Sequence, residues 1–296
     1  MYSRDETVQA ILSFYTELLK QPCISNSHLA IAPPSGWNIN EQEIRASGKN
    51  DTVIDLLRHL PYLEGSRYDG PFVNYETQSV DYTAQSITSS EQAYRLPGHC
   101  VYLTQGEGRE GYSIILDTER GTTTAWSVMG YELLHSNYSY EASLPESDKW
   151  RAHRTLPTAD FFAAWTLRYQ KLVWFLSPSA SSRSTGTFYS RAEQLFEEDE
   201  LCHQPLTEWH PDLSEMKKIE DFDPEDLDNE VNEYSRLLRI KHKADIYNTI
   251  LRYGWGSEDF EKEACMAVLL MMEKQYDKEE KRLMDMVNPD AHLFDD

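Results

Sequence analysis

Between Leu96 and Pro178 two apolar strand-like runs meet at a glycine turn and lead, through a polar stretch, into a strongly apolar helix. His99 to Thr104 and Tyr112 to Leu116 carry the β-branched and aromatic bulk of strands, with Ile114, Ile115 and Leu116 together in the second. Asp117-Thr118-Glu119-Arg120-Gly121 turns the chain, and Thr122 to Val128 returns as a third strand with Thr122, Thr124 and Trp126 on one face. Connections this short give antiparallel pairing. A sheet must bury its apolar face against another layer, and a helix capped by Thr158 and carrying Phe161, Phe162, Trp165, Leu172, Val173 and Leu176 supplies one. The expectation is an α+β protein whose small antiparallel sheet, over about residues 73–136, is covered by helices.

The N-terminal part supplies more of that cover. Val8, Ile11, Leu12, Tyr15, Leu18 and Leu19 recur at spacings of three and four, the signature of a core-facing helix between Asp5 and Lys20. After Pro33-Pro34-Ser35-Gly36, a polar helical stretch ends at Ser47 and Gly48. Asn50 or Asp51 then caps Val53 to Leu60, which Pro61 terminates because it has no amide proton to continue the ladder. Glu64 to Tyr94 reads as loops with one short strand near Val73 to Tyr82.

Beyond Pro178 the character changes. Ser177 to Ser190 is serine-rich with little to bury, so residues 179–195 read as a linker or exposed loop between an α+β domain (1–178) and an acidic helical region (196–296). In the latter, Asp223-Pro224-Glu225-Asp226 resembles a helix start, with apolar positions running to Tyr253 before Gly254. Ser257 is the expected cap of a second long helix bearing Phe260, Val268, Met271 and Met272, giving a C-terminal helical hairpin. Its apolar faces must pack on each other, on the first domain or on a partner, self-association included.

Charge is uneven. The net charge is −22 over 296 residues, and the segment from Arg191 to Asp296 holds 29 acidic against 13 basic residues. Such a surface repels phosphate backbones and attracts basic proteins, so a basic protein partner is expected and nucleic acid is not. Apolar residues at 40% and aromatics at 12% give enough core formers for a folded chain. Cys23, Cys100, Cys202 and Cys265 show no paired spacing, and no apolar run reaches the ~18 residues of a membrane span. No leader is evident in MYSRDETVQA, and the cytoplasm or nucleus is the expected location.

Several motifs imitate chemistry. Gly106-Glu107-Gly108-Arg109-Glu110-Gly111 matches a phosphate-binding pattern, but a strand follows where a helix N-terminus is required, so a hairpin loop is the better reading. In Asp221 to Asn232, Asp226 occupies the glycine position of a calcium loop and Asn232 the glutamate position, and a helix start explains the acids. Cys202-His203 with His210 lacks a fourth ligand at usable spacing, and His210-Pro211-Asp212 lacks the basic helix that precedes it in co-chaperones. No catalytic, cofactor-binding or metal-ligating residue is nominated, and no cofactor is expected.

Pro33-Pro34-Ser35-Gly36-Trp37, Leu56-Leu57-Arg58-His59-Leu60-Pro61-Tyr62, Ile115-Leu116-Asp117-Thr118 with Gly121-Thr122, Asp160-Phe161-Phe162, and Ile246-Tyr247 followed by Gly254-Trp255 resemble a group of uncharacterised fungal proteins. A lone helix, a small sheet ending in Asp-x-x-x-Gly and a covering helix, over about residues 1–178, are similar to the SUKH superfamily. That superfamily includes bacterial toxin-immunity proteins and a fungal regulator of cell-wall synthesis. The resemblance implies a non-enzymatic α+β protein-binding domain without cofactor. The functional expectation is therefore an intracellular interaction or regulatory protein with an acidic surface. Its alternative is a hydrolase whose carboxylate pair is assembled in space.

Overall fold

The computed structural model describes residues 2–65, 71–84, 95–128, 138–179 and 186–288. It has the α+β architecture that the sequence predicts. Helix α1 (Arg4–Leu18) begins where the Ser3 side chain accepts the Glu6 amide, and it buries Ile11, Phe14, Tyr15 and Leu18. Two short antiparallel pieces, β1 (Leu29–Ala30) and β2 (Tyr62–Leu63), bracket α2 (Glu41–Ala46) and α3 (Asp51–His59). Asn50 caps α3 by accepting the Val53 amide at 2.9 Å.

The sheet is larger and more bent than predicted. The region read as one short strand forms two, β3 (Phe72–Asn74) and β4 (Thr77–Ser79). The run at 100–106 divides at Leu103 into β5 (Cys100–Tyr102) and β6 (Thr104–Gly106). β5 pairs with β7 (Tyr112–Asp117) and then β8 (Thr122–Ser127) and β9 (Thr155–Pro157), whereas β6 pairs with β4 on its other edge. Leu103 is the pivot: its N–H donates to Ile114 and its carbonyl accepts from Val80. Beside it the Thr104 hydroxyl donates to the Tyr112 carbonyl and accepts the Ile114 amide, both at 2.9 Å. Backbone groups that the bend would orphan are thus satisfied by a side chain.

Both faces of this sheet are covered. One lies under α1 and a helix α5 (Thr158–Gln170), with Phe14, Phe162 and Trp165 in edge and tilted ring contacts. The other lies under Leu96 and Trp150, which enclose Cys100, Tyr102, Ile115 and Trp126. Trp150 comes from a 3-10 segment that follows the short α4 (Tyr138–Ser143). Three sequence expectations change here: the covering helix, expected to carry Leu172, Val173 and Leu176, ends at Gln170, before those residues. Thr158 is the first residue of α5, not its cap; its hydroxyl accepts from Thr123 across the sheet at 3.1 Å. The serine-rich stretch is not all linker, because β10 (Trp174–Ser177) pairs residue for residue with β11 (Thr187–Ser190). Residues 180–185, between them, lie outside the described residues.

The C-terminal helices α7 (Leu227–Arg252) and α8 (Lys262–Val287) lie antiparallel, as Thr249 bonding Met272 and His242 stacking on Tyr276 require. Their apolar faces close on each other and on the hairpin, around Leu172, Phe175, Ile246, Tyr247, Ile250, Trp255, Cys265 and Leu269. Polar contacts tie them to the rest: Trp255 donates its indole N–H to the Gln170 carbonyl at 3.1 Å, and the Lys262 ammonium donates to the carbonyls of Leu19 and Ile24. Both helices start later than predicted. The Asp223 carboxylate accepts the Glu225 amide and Ser257 donates to the Gly254 carbonyl, so each presumed cap is spent inside its own turn. Among the described residues no helix is long and apolar enough to cross a membrane.

A buried polar knot anchors α6 (Leu195–Cys202). Glu198 accepts Arg168 Nε at 2.7 Å and the Trp174 indole N–H at 2.6 Å, and Arg168 also reaches Asp199 at 3.1 Å. Glu198→Ala would take the acceptor from Arg168 Nε and from the buried indole N–H, while Asp199 and the Ala164 carbonyl still hold the rest of the guanidinium, and is expected to cost about 3 kcal/mol in urea unfolding. A loss under 1 kcal/mol would show the knot to be dispensable.

His153 is fully buried, neither ring nitrogen has a hydrogen-bond partner, and burial pushes its pKa down to about 4 although Glu141 stands 3.7 Å away. The folded value lies below the unfolded ~6.5, so the unfolded chain binds the extra proton and stability falls as pH drops from about 6.5 towards 4. The loss from this group is expected to be on the order of 3 kcal/mol, and His153→Met should flatten that part of the profile. Identical acid profiles for the two proteins would rule this origin out.

Candidate binding groove

The segment after α6 runs through an irregular stretch before α7, and side chains of α7 hold it. Asn248 accepts the Trp209 amide at 2.7 Å and donates to the Trp209 carbonyl at 2.8 Å, matching a backbone edge with both ends of one amide. One residue earlier, Tyr247 donates its hydroxyl to the Thr207 carbonyl at 3.0 Å and receives Arg191 Nη1 at the same distance. The Trp209 ring meets Tyr247 edge-on at 6.1 Å. The backbone at 207–209 is therefore held to the helix while the Trp209 side chain stays half-buried.

Open cavities lie on either side of that tryptophan. One, of about 440 Å³, is walled by Arg191, Glu197, Glu200, Glu208 and His210. The other, of about 430 Å³, is walled by Glu193, Asp212, Glu215, Arg236 and Leu237. Six carboxylates thus face two guanidiniums around one shared indole. Of those two, Arg236 is already paired with Glu233 at 2.7 Å, and Arg191 lies against the Tyr247 ring at 4.9 Å. The Ser214 amide, bonded to Asp212 at 2.9 Å, holds that carboxyl below its usual range. Burial pushes the Tyr247 phenol up, partly countered by Arg191. The arrangement suits a cationic chain, whose ammonium or guanidinium heads meet carboxylates while the methylene stems and charge lie on the indole.

The motifs singled out in the sequence fall elsewhere or divide. Gly106–Gly111 is the β6–β7 hairpin loop, folded against the β3–β4 turn with the Glu107 amide on the Glu76 carbonyl at 2.6 Å. Cys202 turns into the core, the His203 ring bonds the Asp199 carbonyl at 2.7 Å, and only His210 reaches the groove. In the calcium-like stretch Asp223 serves its own turn and Asp226 accepts from the Asn229 side chain. Trp209 and Asn248 were not singled out. A large aromatic between Pro205 and Pro211 in an acidic, non-periodic stretch was the available signal.

Compared with protein-family models, curated proteins and solved structures, the chain matches none significantly.

A Cβ at Gly111 would stand 2.0 Å from the Glu76 carbonyl oxygen, so the glycines serve close backbone approach. Gly111→Ala is expected to destabilise the protein by about 2 kcal/mol or more, since backbone must move. At Gly256, with φ of +83° and open space around it, alanine meets only the left-handed backbone penalty of about 1 kcal/mol. Equal losses at the two positions, measured by urea unfolding, would contradict this.

Proposed function

We propose that this chain is a non-enzymatic interaction or regulatory protein of the cytoplasm or nucleus, which takes a basic segment of a partner protein into the groove at Trp209. The observation that carries the reading is the six-to-two excess of carboxylates around one half-buried indole held in place by Asn248. The C-terminal excess of negative charge would steer such a partner inward, and the local cavities would choose where it docks. Both cavities are open, which fits an extended peptide better than an enclosed small molecule. The resemblance to the SUKH superfamily implies the same kind of role.

The test is fluorescence anisotropy with a labelled Lys/Arg-rich peptide and a Glu-rich control of equal length. The basic peptide should bind, weaken steeply as salt is raised, and lose about tenfold with Trp209→Ala or with Glu197→Gln and Glu200→Gln together. Circular dichroism would confirm that these variants are folded. Binding indifferent to salt and to both variants would overturn the groove as the docking site.

A further inference from the structure

On the sheet face away from α1 and α5, three side chains of different chemistry converge at the end of β5 and β7. Cys100 and Asp117 are cross-strand partners, so their side chains project from the same face of the sheet. His99 precedes Cys100, and its carbonyl accepts both the amide and the hydroxyl of Thr118, at 2.9 and 2.8 Å, which fixes it beside the Asp117 turn. One ligand atom from each of His99, Cys100 and Asp117 lies within 4.8 Å of the others.

Asp117 divides its work. Oδ1 accepts the amides of Glu119 and Arg120 at 2.9 and 3.0 Å and so builds the turn. Oδ2 is buried with no hydrogen-bond partner and faces His99 Nε2 at 3.8 Å. A buried carboxylate oxygen without a partner is costly, and a turn needs only one of the two. On the other side of the imidazole, Nδ1 lies 3.4 Å from Glu119 Oε1. A carboxylate behind one ring nitrogen is the usual arrangement that presents the other nitrogen to a metal.

We propose that His99, Cys100 and Asp117 bind one divalent transition-metal ion of the zinc class. Imidazole, thiolate and carboxylate together are a donor set for a borderline-soft cation rather than for magnesium or calcium. Solvent supplies the remaining position along the His99 side chain, which is 21% exposed. The charge around the site accommodates the ion. Arg120 and Arg151 each stand 3.9 Å from Asp117 Oδ2, outside hydrogen-bond reach, and Arg151 is held by Asp148 at 3.0 Å and lies over the Trp150 ring. Lys49 and Arg151 also act on the Cys100 thiol. Against these three cations stand Asp117, Glu119, Asp148 and, once ionised, Cys100. Coordination forms the metal–sulfur bond as the Cys100 S–H bond breaks and the proton leaves to solvent.

The test uses the full-length, reduced, metal-free protein, titrated with Co²⁺ and then competed with Zn²⁺. One equivalent of cobalt should give a sulfur-to-cobalt charge-transfer band that zinc removes. Cys100→Ser should abolish the band, and Asp117→Asn, which retains Oδ1 for the turn, should weaken binding by about tenfold or more. Cys202→Ser and Cys23→Ser should leave it unchanged. Where Cys100→Ser does not fold, His99→Ala with competitive zinc titration replaces it and should lose at least as much as Asp117→Asn. A folded wild-type protein with no band, or a band that survives both Cys100→Ser and His99→Ala, would overturn the proposal.

Discussion

Strand β10 is the wall on which both halves of the protein lean. Side chains of a strand alternate between faces, so Trp174 and Leu176 enter the core beneath α1 and α5 while Phe175 enters the core beneath α7 and α8. Leu172, just before the strand, is also fully buried against the C-terminal helices, and it sits at φ +48°, a conformation that leucine adopts only at a cost of about 1–2 kcal/mol. Burying a whole leucine side chain outweighs that cost. The helix–strand junction at 170–174 thus sets the register by which α5, the hairpin and the C-terminal helices meet.

Polar groups make that junction specific. Glu198 gathers Arg168 from α5 and the indole of Trp174 from β10, and so ties α6 to both. On the opposite side, Glu273 of α8 accepts the Tyr189 hydroxyl of β11 at 3.0 Å and lies 3.1 Å from His242 of α7, whose ring stacks on Tyr276 at 4.1 Å. Apolar faces alone would let two long helices slide along a hairpin. A buried carboxylate with specific donors penalises every register but one. The same logic at the surface produces the groove: Asn248 and Tyr247 spend their polar groups on the backbone at 207–209, and acidic side chains such as Glu193, Glu200, Glu208 and Glu215 are left exposed beside it.

How much was legible depended on whether the signal was local. The face of α1 was read from spacing, although Phe14 escaped because the sixfold pattern from Val8 to Leu19 was already complete without it. The Asn50 cap and the β7–β8 hairpin are governed by neighbours in sequence and stand as read, and the glycine loop at 106–111 is a loop as read although its glycines also answer to the distant Glu76 backbone. The starts of α5, α7 and α8 were misplaced because Thr158, Asp223 and Ser257 have partners other than a helix amide. β11 was hidden because its four residues are half-buried and show no alternation, their pairing being dictated by β10.

The sequence by itself determined the fold class, the helical and strand periods, the turn glycines and the acidic C-terminal third, because these follow from single-residue chemistry and from spacings of two to four. Only the tertiary structure decided that one strand carries two cores, that residues on α7 grip the backbone at Trp209, and that His99 and Cys100 meet Asp117. Those outcomes join positions far beyond the spacings of two to four that periodicity reads. Periodicity describes which face of an element is apolar, but the site it meets is chosen by packing and by the cost of leaving buried polar groups unpaired.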